Sequence, residues 1–540
     1  MTWKADDPKG NESLKIKYHI VPYTRGRGLD LGCGDSKTYQ HFIGVDNYKD
    51  MQLFGTPVKP DVVCDVNDLS MFATGSMDFV FSSYLLEHIE DYQAALKEWW
   101  RVIKPDGYLV LYLPHKDLYP NIGQPGANPD HKHDFLPEDI IKAMEAFDGW
   151  DLVENDTRGE DREYSFYQVF RKLESVPTAF DVSEDAKSTW DGGKRSKDWY
   201  AKWGNRHRHS WKDPKPQNTV CIVRYGGYGD QIQASSILPE LKRQGWHITF
   251  MTTPQGKDIL EHDPHVDAWI LQDKDQVPNV ELSAYWSVWQ KKFIRFINLS
   301  ESIEGTLLAI PGRANHGWPD EVRQKELNHN YGEWTAALSR VPYRSEGKFY
   351  PSKEETEWAK AYLGDGAFHI VWVLSGSSVH KFYPNMDQVI GRVLNEAGNV
   401  HITFVGDYAC KLLESGWEKY KQVSCKSGEL TIRQSLSLAK YADCVVGPET
   451  GVLNSVAFET NAKVILLSHS SHENLTKHWV NTAVLVPSVP CYPCHRLHYG
   501  REFCPEDKPT GASICAVSIP PEHVSQYILN AVDRWKKEAA

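Results

Sequence analysis

Short apolar runs alternate with amphipathic stretches along most of the chain. Between Arg27 and Lys172 the runs are GLDLGCG, FIGVDN, DVVCDV, MDFVFSSYLLEHI and GYLVLYLP, a rhythm that predicts a parallel sheet covered by helices. From about Leu173 to Asn218 the rhythm stops and the segment becomes polar, rich in Lys, Asp, Gly and Trp. It reads as a linker, although Trp190, Trp199, Trp203 and Trp211 argue that part of it packs onto a domain. A strand, a glycine turn and an amphipathic helix resume at TVCIVRYGGYGDQIQASSILPELKRQG and continue through WHITFMTT. After a helical and loop-rich stretch, AFHIVWVLSGSS, NVHITFVGD, DCVVGPETG and AKVILL form a further α/β series. The predicted organisation is a domain at 1–172, a linker at 173–217 and two α/β lobes at 218–350 and 351–540.

A chain of 540 residues exceeds what one hydrophobic core normally serves, which agrees with several units. At 41% hydrophobic and 24% charged residues the composition is that of a folded globular protein. No apolar run reaches the length of a membrane span and no apolar leader opens the chain, so a cytoplasmic protein is expected. A net charge of −12 argues against a broad duplex-binding surface, which needs an excess of Lys and Arg.

In the first block, Asp30 ends a strand and Gly32 and Gly34 form the turn after it. Glycines let a backbone approach a ligand closely, and a carboxylate there can bind an ammonium group. Asp46 follows the next strand, placed for two ribose hydroxyls, and Asp65 stands near the end of DVVCDV. With SYLLEHIEDYQAALKEWWRVIKPDGYLVLYLP added, residues 25 to 172 resemble class I methyltransferases of the Methyltransf_11-like kind. The resemblance implies a Rossmann-like domain holding S-adenosyl-L-methionine through Asp30, Gly32, Gly34, Asp46 and Asp65, with Glu87 and His88 near the methyl-donor end. A hydroxyl acceptor would need a base, for which the candidates are His115, His131 and His133. The pair His131 and His133 could also bind a metal, but no third ligand is evident in the sequence.

In the second block, Arg224-Tyr225-Gly226-Gly227-Tyr228-Gly229-Asp230 ends a strand and opens a helix, where backbone amides bind anions and an acid can act as base toward a sugar hydroxyl. LSGSSVHKFYP and SGELTIRQSLSLAKYADCVVGPETG follow, then CYPCHRLHYGREFCP. In this order they resemble glycosyltransferase family 9, the ADP-heptose:lipopolysaccharide heptosyltransferases and their relatives, over about residues 218 to 540. The resemblance implies a GT-B fold of two Rossmann-like lobes and inverting transfer from a nucleotide-sugar donor. By motif, Asp230 would be the catalytic base and Gly227 and Gly229 would shape the acceptor-side loop. Ser375, Ser377 and Lys381 would bind the donor diphosphate, while Glu449, Thr450 and Gly451 would contact donor sugar and phosphates. Where that family has an Asp-Ser/Thr-Gly followed by a His, this chain has Glu449 and Asn454, so ADP-heptose is not carried over as donor.

Cys491, Cys494, Cys504 and Cys515 read C-x2-C-x9-C-x10-C, and the first pair can grip one tetrahedral ion. A structural zinc or iron and a set of reduced thiols both remain open. Trp286 and Trp289, in ELSAYWSVWQ, could stack on sugar rings, with apolar packing as the alternative. The sequence therefore reads as a bifunctional enzyme acting on small-molecule donors and a carbohydrate acceptor, in glycan or lipopolysaccharide modification. A nucleic-acid base-modifying enzyme of viral type, and a protein in which one domain is a non-catalytic relic, are the alternatives.

Overall fold

The computed structural model describes residues 12–47, 52–53, 56–147, 149–159, 163–173, 190–191, 194–195, 217–344 and 347–539. They fall into two compact units, Met1–Gln217 with Gln272–Lys292 and Asn218–Leu271 with Phe293–Ala540. The α/β class expected from the sequence is present in both. Of the expected linker, only the ends and two paired two-residue strands, Trp190–Asp191 and Lys194–Arg195, are described. Trp199, Trp203 and Trp211 lie outside the described residues.

The first unit is built on seven strands: β1 (Gly28–Leu31), β2 (Ile43–Asp46), β3 (Val62–Val63), β4 (Met77–Ser83), β5 (Ile103–Pro114), β6 (Trp150–Arg158) and β7 (Ser165–Lys172). Their order is β3-β2-β1-β4-β5-β7-β6, parallel except that β7 runs antiparallel to β5 and β6. All four residues of β1 are buried, as a central strand covered on both faces requires. Helix α1 (Tyr92–Val102) starts where the Asp91 side chain accepts the N–H of Ala94 at 3.0 Å. It buries Ala95, Leu96, Trp99 and Val102, a helical spacing that places them on one face. Trp99 is fully buried and its Nε1–H donates to the Val66 carbonyl at 2.9 Å.

Gln272–Lys292, which the sequence reading includes in the 218–350 lobe, packs within this first unit. Gln276 is buried and its Nε2 donates to the carbonyls of Val21 and Thr24 at 2.8 and 3.1 Å. Asp273 accepts from Arg25 Nε and Gly26 N at 3.0 and 2.8 Å, and Glu281 pairs with Lys17 at 2.7 Å. In the helix Leu282–Gln290, Tyr285, Trp286 and Trp289 are buried, and Trp289 Nε1–H donates to the Tyr18 carbonyl at 3.1 Å. The two tryptophans are packing residues and present no open face for a sugar ring.

The second unit holds two all-parallel sheets. The smaller contains β8 (Thr219–Val223), β9 (His247–Thr252), β10 (Ala268–Leu271) and β11 (Arg295–Asn298), in the order β10-β9-β8-β11. The larger contains β12 (Phe368–Val373), β13 (Val400–Val405), β14 (Val423–Cys425), β15 (Cys444–Pro448), β16 (Ala462–Leu466) and β17 (Thr482–Leu485), in the order β14-β13-β12-β15-β16-β17. Helix α2 (Tyr228–Ser235) follows β8, and the short helix α3 (Gly451–Ser455) follows β15. One apolar cluster runs through both sheets, joining Ile222 and Ile232 to Val371, Val445 and Leu453. Among the described residues no helix is long and apolar enough to cross a membrane.

Candidate active sites

In the first unit, Asp30 and Asp46 stand on the neighbouring parallel strands β1 and β2, and Asp30 is paired in register with Gly44. The turn after β1 needs positive φ at Gly32 (+71°) and Gly34 (+57°), which glycine adopts without steric cost. A Cβ on Gly34 would meet nothing within 4 Å, whereas one on Gly32 would lie 3.1 Å from Leu85. The turn is therefore open on one side and roofed by Leu85 on the other. Asp46 Oδ2 accepts the Gly34 N–H at 3.2 Å and Asp30 Oδ2 accepts that of Thr38 at 3.0 Å. Burial raises the Asp30 carboxyl to about 7, against the Thr38 hydrogen bond. This open, carboxylate-lined cradle suits a cationic ligand that also carries hydroxyls. Asp65 is exposed, and its Oδ1 is held by Asn67 through both N and Nδ2 at 2.9 and 2.8 Å. Asp61, which sequence reasoning passed over, braces the cradle from behind by accepting from Gly44 N and Lys37 Nζ.

Beyond Leu85, Glu87 and His88 meet His131, with ligand-capable atoms of all three within 4.8 Å of one another. His131 is thus the partner of Glu87 and His88 rather than of His133. His133 turns elsewhere: its Nε2–H donates to the carbonyls of Ile89 and Glu90 and its ring stacks on Phe135. His115 is buried, and its Nδ1 accepts the Asp117 N–H at 3.1 Å. With that lone pair occupied, Nδ1 is not free to take a proton from an acceptor hydroxyl, the role expected of this residue.

In the second unit, the two glycine turns meet. A Cβ on Gly229 would lie 2.7 Å from Asn454 Nδ2, and one on Gly451 would lie 2.7 Å from Tyr228 Cβ and 2.9 Å from the Gly229 amide nitrogen. Gln233 of α2 donates from Nε2 to Asn454 Oδ1 of α3 at 3.1 Å. Asp230 lines a small cavity with Arg224, Gln233 and Tyr331. Its Oδ2 accepts the Gly227 N–H and its Oδ1 the Arg224 guanidinium, both at 2.7 Å. Arg224 is buried and also pairs with Glu304, so burial acting to lower its pKa is outweighed by the two carboxylates.

Lys381 is buried beside the turn after β12: a Cβ on Gly376 would lie 2.7 Å from its Cδ and 3.1 Å from Thr450 Cγ2. Burial lowers its pKa while Glu449 and Asp230 oppose the shift. Ser377 is exposed and Ser375 half-buried on the same turn. Thr450 caps α3 by accepting the Leu453 N–H at 3.5 Å. Lys381, Thr450, Gly451, Gly229 and Asp230 thus come together. Glu449 faces another way. Its carboxylate accepts from Ser468 N and Oγ and from Ser470 N at 2.9 to 3.0 Å, and contacts the His469 ring. Burial alone would raise its pKa, but His469 and these donors hold it well below the usual carboxylate range. Its acceptor capacity is spent on ordering Ser468–Ser470, which leaves little for a donor sugar.

All ten cysteines are free thiols. Of the expected four-cysteine set, Cys504 groups with His380 and His498, ligand-capable atoms within 4.8 Å; His380 also groups with Glu449 and His469. Cys494 Sγ lies 3.9 Å from His498 Nε2, while Cys504 Sγ meets the Ser513 hydroxyl at 3.2 Å and Cys515 sits on the helix Ile514–Val517. The metal-capable grouping therefore mixes imidazole with thiol, and Cys491 and Cys515 are not members of it. The histidines were missed because they lie far from Cys504 in sequence or, like His498, carried no spacing signal.

Residues 29–111 match the family described as "Methyltransferase domain", Methyltransf_11. No curated protein matches the chain in sequence. Among solved structures, ADP-heptose lipopolysaccharide heptosyltransferase II of E. coli is 14% identical with a TM-score of 0.41, over 59% of this chain and 100% of that one. The family 9 glycosyl transferase of Veillonella parvula is 12% identical with a TM-score of 0.43, over 59% and 98%. A SAM-dependent methyltransferase from Archaeoglobus fulgidus is 20% identical with a TM-score of 0.21, over 30% and 95%. Residues 29–111 thus form a Methyltransf_11 methyltransferase domain.

Proposed function

We propose that the first unit transfers a methyl group from S-adenosyl-L-methionine and the second a sugar from a nucleotide-sugar donor to a carbohydrate acceptor, so that one chain modifies a glycan twice. The observation that carries the first half is the cradle after β1, where two strand-end carboxylates flank a turn held open at Gly34. Asp30 would hold the ligand's ammonium group and Asp46 its ribose hydroxyls, with Asp65 toward the base. S-adenosyl-L-methionine, when bound, supplies an electrophilic methyl group that needs in-line approach by the acceptor. The protein's own task is then to fix the acceptor and exclude water.

For the second half, the support is the meeting of the Gly229 and Gly451 turns beside Lys381. Helix-start amides and a buried ammonium are suited to the charge that develops on a leaving nucleoside diphosphate. Asp230, lining the adjacent cavity, would take the proton of the acceptor hydroxyl. Ser375, Ser377 and Thr450 would complete the diphosphate contacts. Neither transfer step is routed through a metal at His380, His498 and Cys504.

Calorimetric titration of the intact protein with S-adenosylhomocysteine, and separately with a panel of nucleoside diphosphates, tests the reading. Binding of both classes at independent sites is expected; failure of either class removes the corresponding activity. Replacing Asp230 by Asn should abolish sugar transfer, and an unchanged rate would remove it as the base.

A further inference from the structure

Glu87 is completely shielded from solvent, and neither of its carboxylate oxygens has a hydrogen-bond partner. A buried acid in that condition is costly, because the desolvation of a carboxylate is offset only by paired charge, hydrogen bonds or a coordinated cation. The nearest candidate for pairing is His131, whose Nε2 stands 3.9 Å from Glu87 Oε1, beyond hydrogen-bond reach. His131 is itself buried, and its ring lies 4.8 Å from that of His88. Two adjacent imidazoles and an unpartnered carboxyl group thus converge, with ligand-capable atoms within 4.8 Å of one another.

We propose that Glu87, His88 and His131 bind one divalent transition-metal ion, with an open coordination position that takes an oxygen of the methyl acceptor.

The donor set selects the ion. Two imidazole nitrogens and one carboxylate, without a thiolate, suit zinc, manganese, iron(II) or cobalt, whereas calcium and magnesium prefer oxygen ligands alone. The 3.9 Å between Glu87 Oε1 and His131 Nε2 is close to the ~3.4 Å that separates two ligands bound at about 2.1 Å in a tetrahedral site. Three protein ligands leave a position free, which distinguishes a site that exchanges small ligands from a closed structural one.

The backbone fixes this geometry independently of the three side chains. The amides of Lys132 and His133 both donate to the Glu87 carbonyl, at 2.7 and 3.2 Å. His133 clamps the same loop to the Ile89 and Glu90 carbonyls. Leu85, two residues before Glu87, roofs the glycine turn at Gly32, so the ion would sit on the segment that borders the proposed cofactor cradle. The role of the open position rests on the methyl-transfer reading; the ion site does not.

The intact protein, stripped with a chelator, would be titrated with Co²⁺ and the bound equivalents counted by visible absorption, in parallel with Glu87→Gln and His88→Ala. Glu87→Gln is nearly isosteric, so it removes the carboxylate with little change in packing. Each variant is expected to bind one Co²⁺ fewer than the parent, and the equivalent lost should lack a thiolate charge-transfer band. Equal stoichiometry in parent and both variants, zero included, overturns the site. Azide added to the loaded parent should shift the bands that the variants lose; unshifted bands overturn the open position. S-adenosylhomocysteine is titrated into the metal-free parent separately, so its failure to bind would remove the methyl-transfer reading while the ion count stands.

Discussion

Gly451 stands so close to Gly229 that a Cβ on the former would fall 2.9 Å from the amide nitrogen of the latter. Two glycines more than two hundred residues apart therefore set how closely α2 and α3 approach. Replacing Gly451 by Ala places the new methyl against backbone, which cannot rotate away. The expected cost is about 1–3 kcal/mol, read as a lower urea midpoint of the second unit, together with weaker nucleoside-diphosphate binding.

Asn454 adds the polar half of the same contact. Its Oδ1 accepts from Gln233 and its Nδ2 donates to the Thr450 carbonyl, both at 3.1 Å. Asn454→Ala should cost roughly 0.5–1.5 kcal/mol for the hydrogen bond from Gln233. In a double-mutant cycle, Gln233→Ala should add little once Asn454 is gone, and full additivity would show that the bond is not made in solution.

Asp30 gives the first unit a pH signature. Its folded-state pKa is raised by burial from 3.8 to about 7, so the folded protein retains a proton that the unfolded chain releases. The stability this contributes is complete below pH 3.8 and is lost as the pH rises through about 7. Asp30→Asn should flatten that part of the thermal-midpoint profile. If the carboxylate grips an ammonium group, S-adenosylhomocysteine should bind the parent more tightly as the pH passes 7, a rise that the Asn variant lacks.

Gln276 tests the attachment of Gln272–Lys292. Removing its side chain leaves the Val21 and Thr24 carbonyls without the donor they have now. Gln276→Ala should destabilise the first unit by about 1–3 kcal/mol, and hydrogen–deuterium exchange should accelerate in residues 17–25. Unchanged exchange there would mean that the segment is not held in solution.

Much of the architecture was legible because central parallel strands are buried on both faces and so appear as unbroken apolar runs; GLDL and CVVGP are examples. The glycine turns at 32–34, 226–229 and 451 were legible for a related reason, since a turn at a strand end leaves a short, recognisable string. What stayed hidden were partnerships across long separations. Nothing in HKHDF names Glu87 as the neighbour of His131, and nothing in the 380s and 490s pairs His380 with His498. Glu449 was read as a donor contact from its place in a motif, but the direction its side chain takes depends on the Ser468–Ser470 amides. ELSAYWSVWQ announced a buried aromatic face without stating what would cover it, because periodicity reports that a face is apolar and not which surface it meets.

The covering surface turns out to be the first unit, which makes that unit discontinuous in the chain. A ribosome that has finished residue 217 has not yet made everything the first unit needs. Its Arg25, Lys17 and Tyr18 wait for Asp273, Glu281 and Trp289, so folding of the N-terminal half is completed only after the first three strands of the second unit have emerged. A protease cut or an expression boundary placed between 173 and 217 would not release two whole halves: the N-terminal fragment would lack a packed helix, and the C-terminal fragment would carry Tyr285, Trp286 and Trp289 into water.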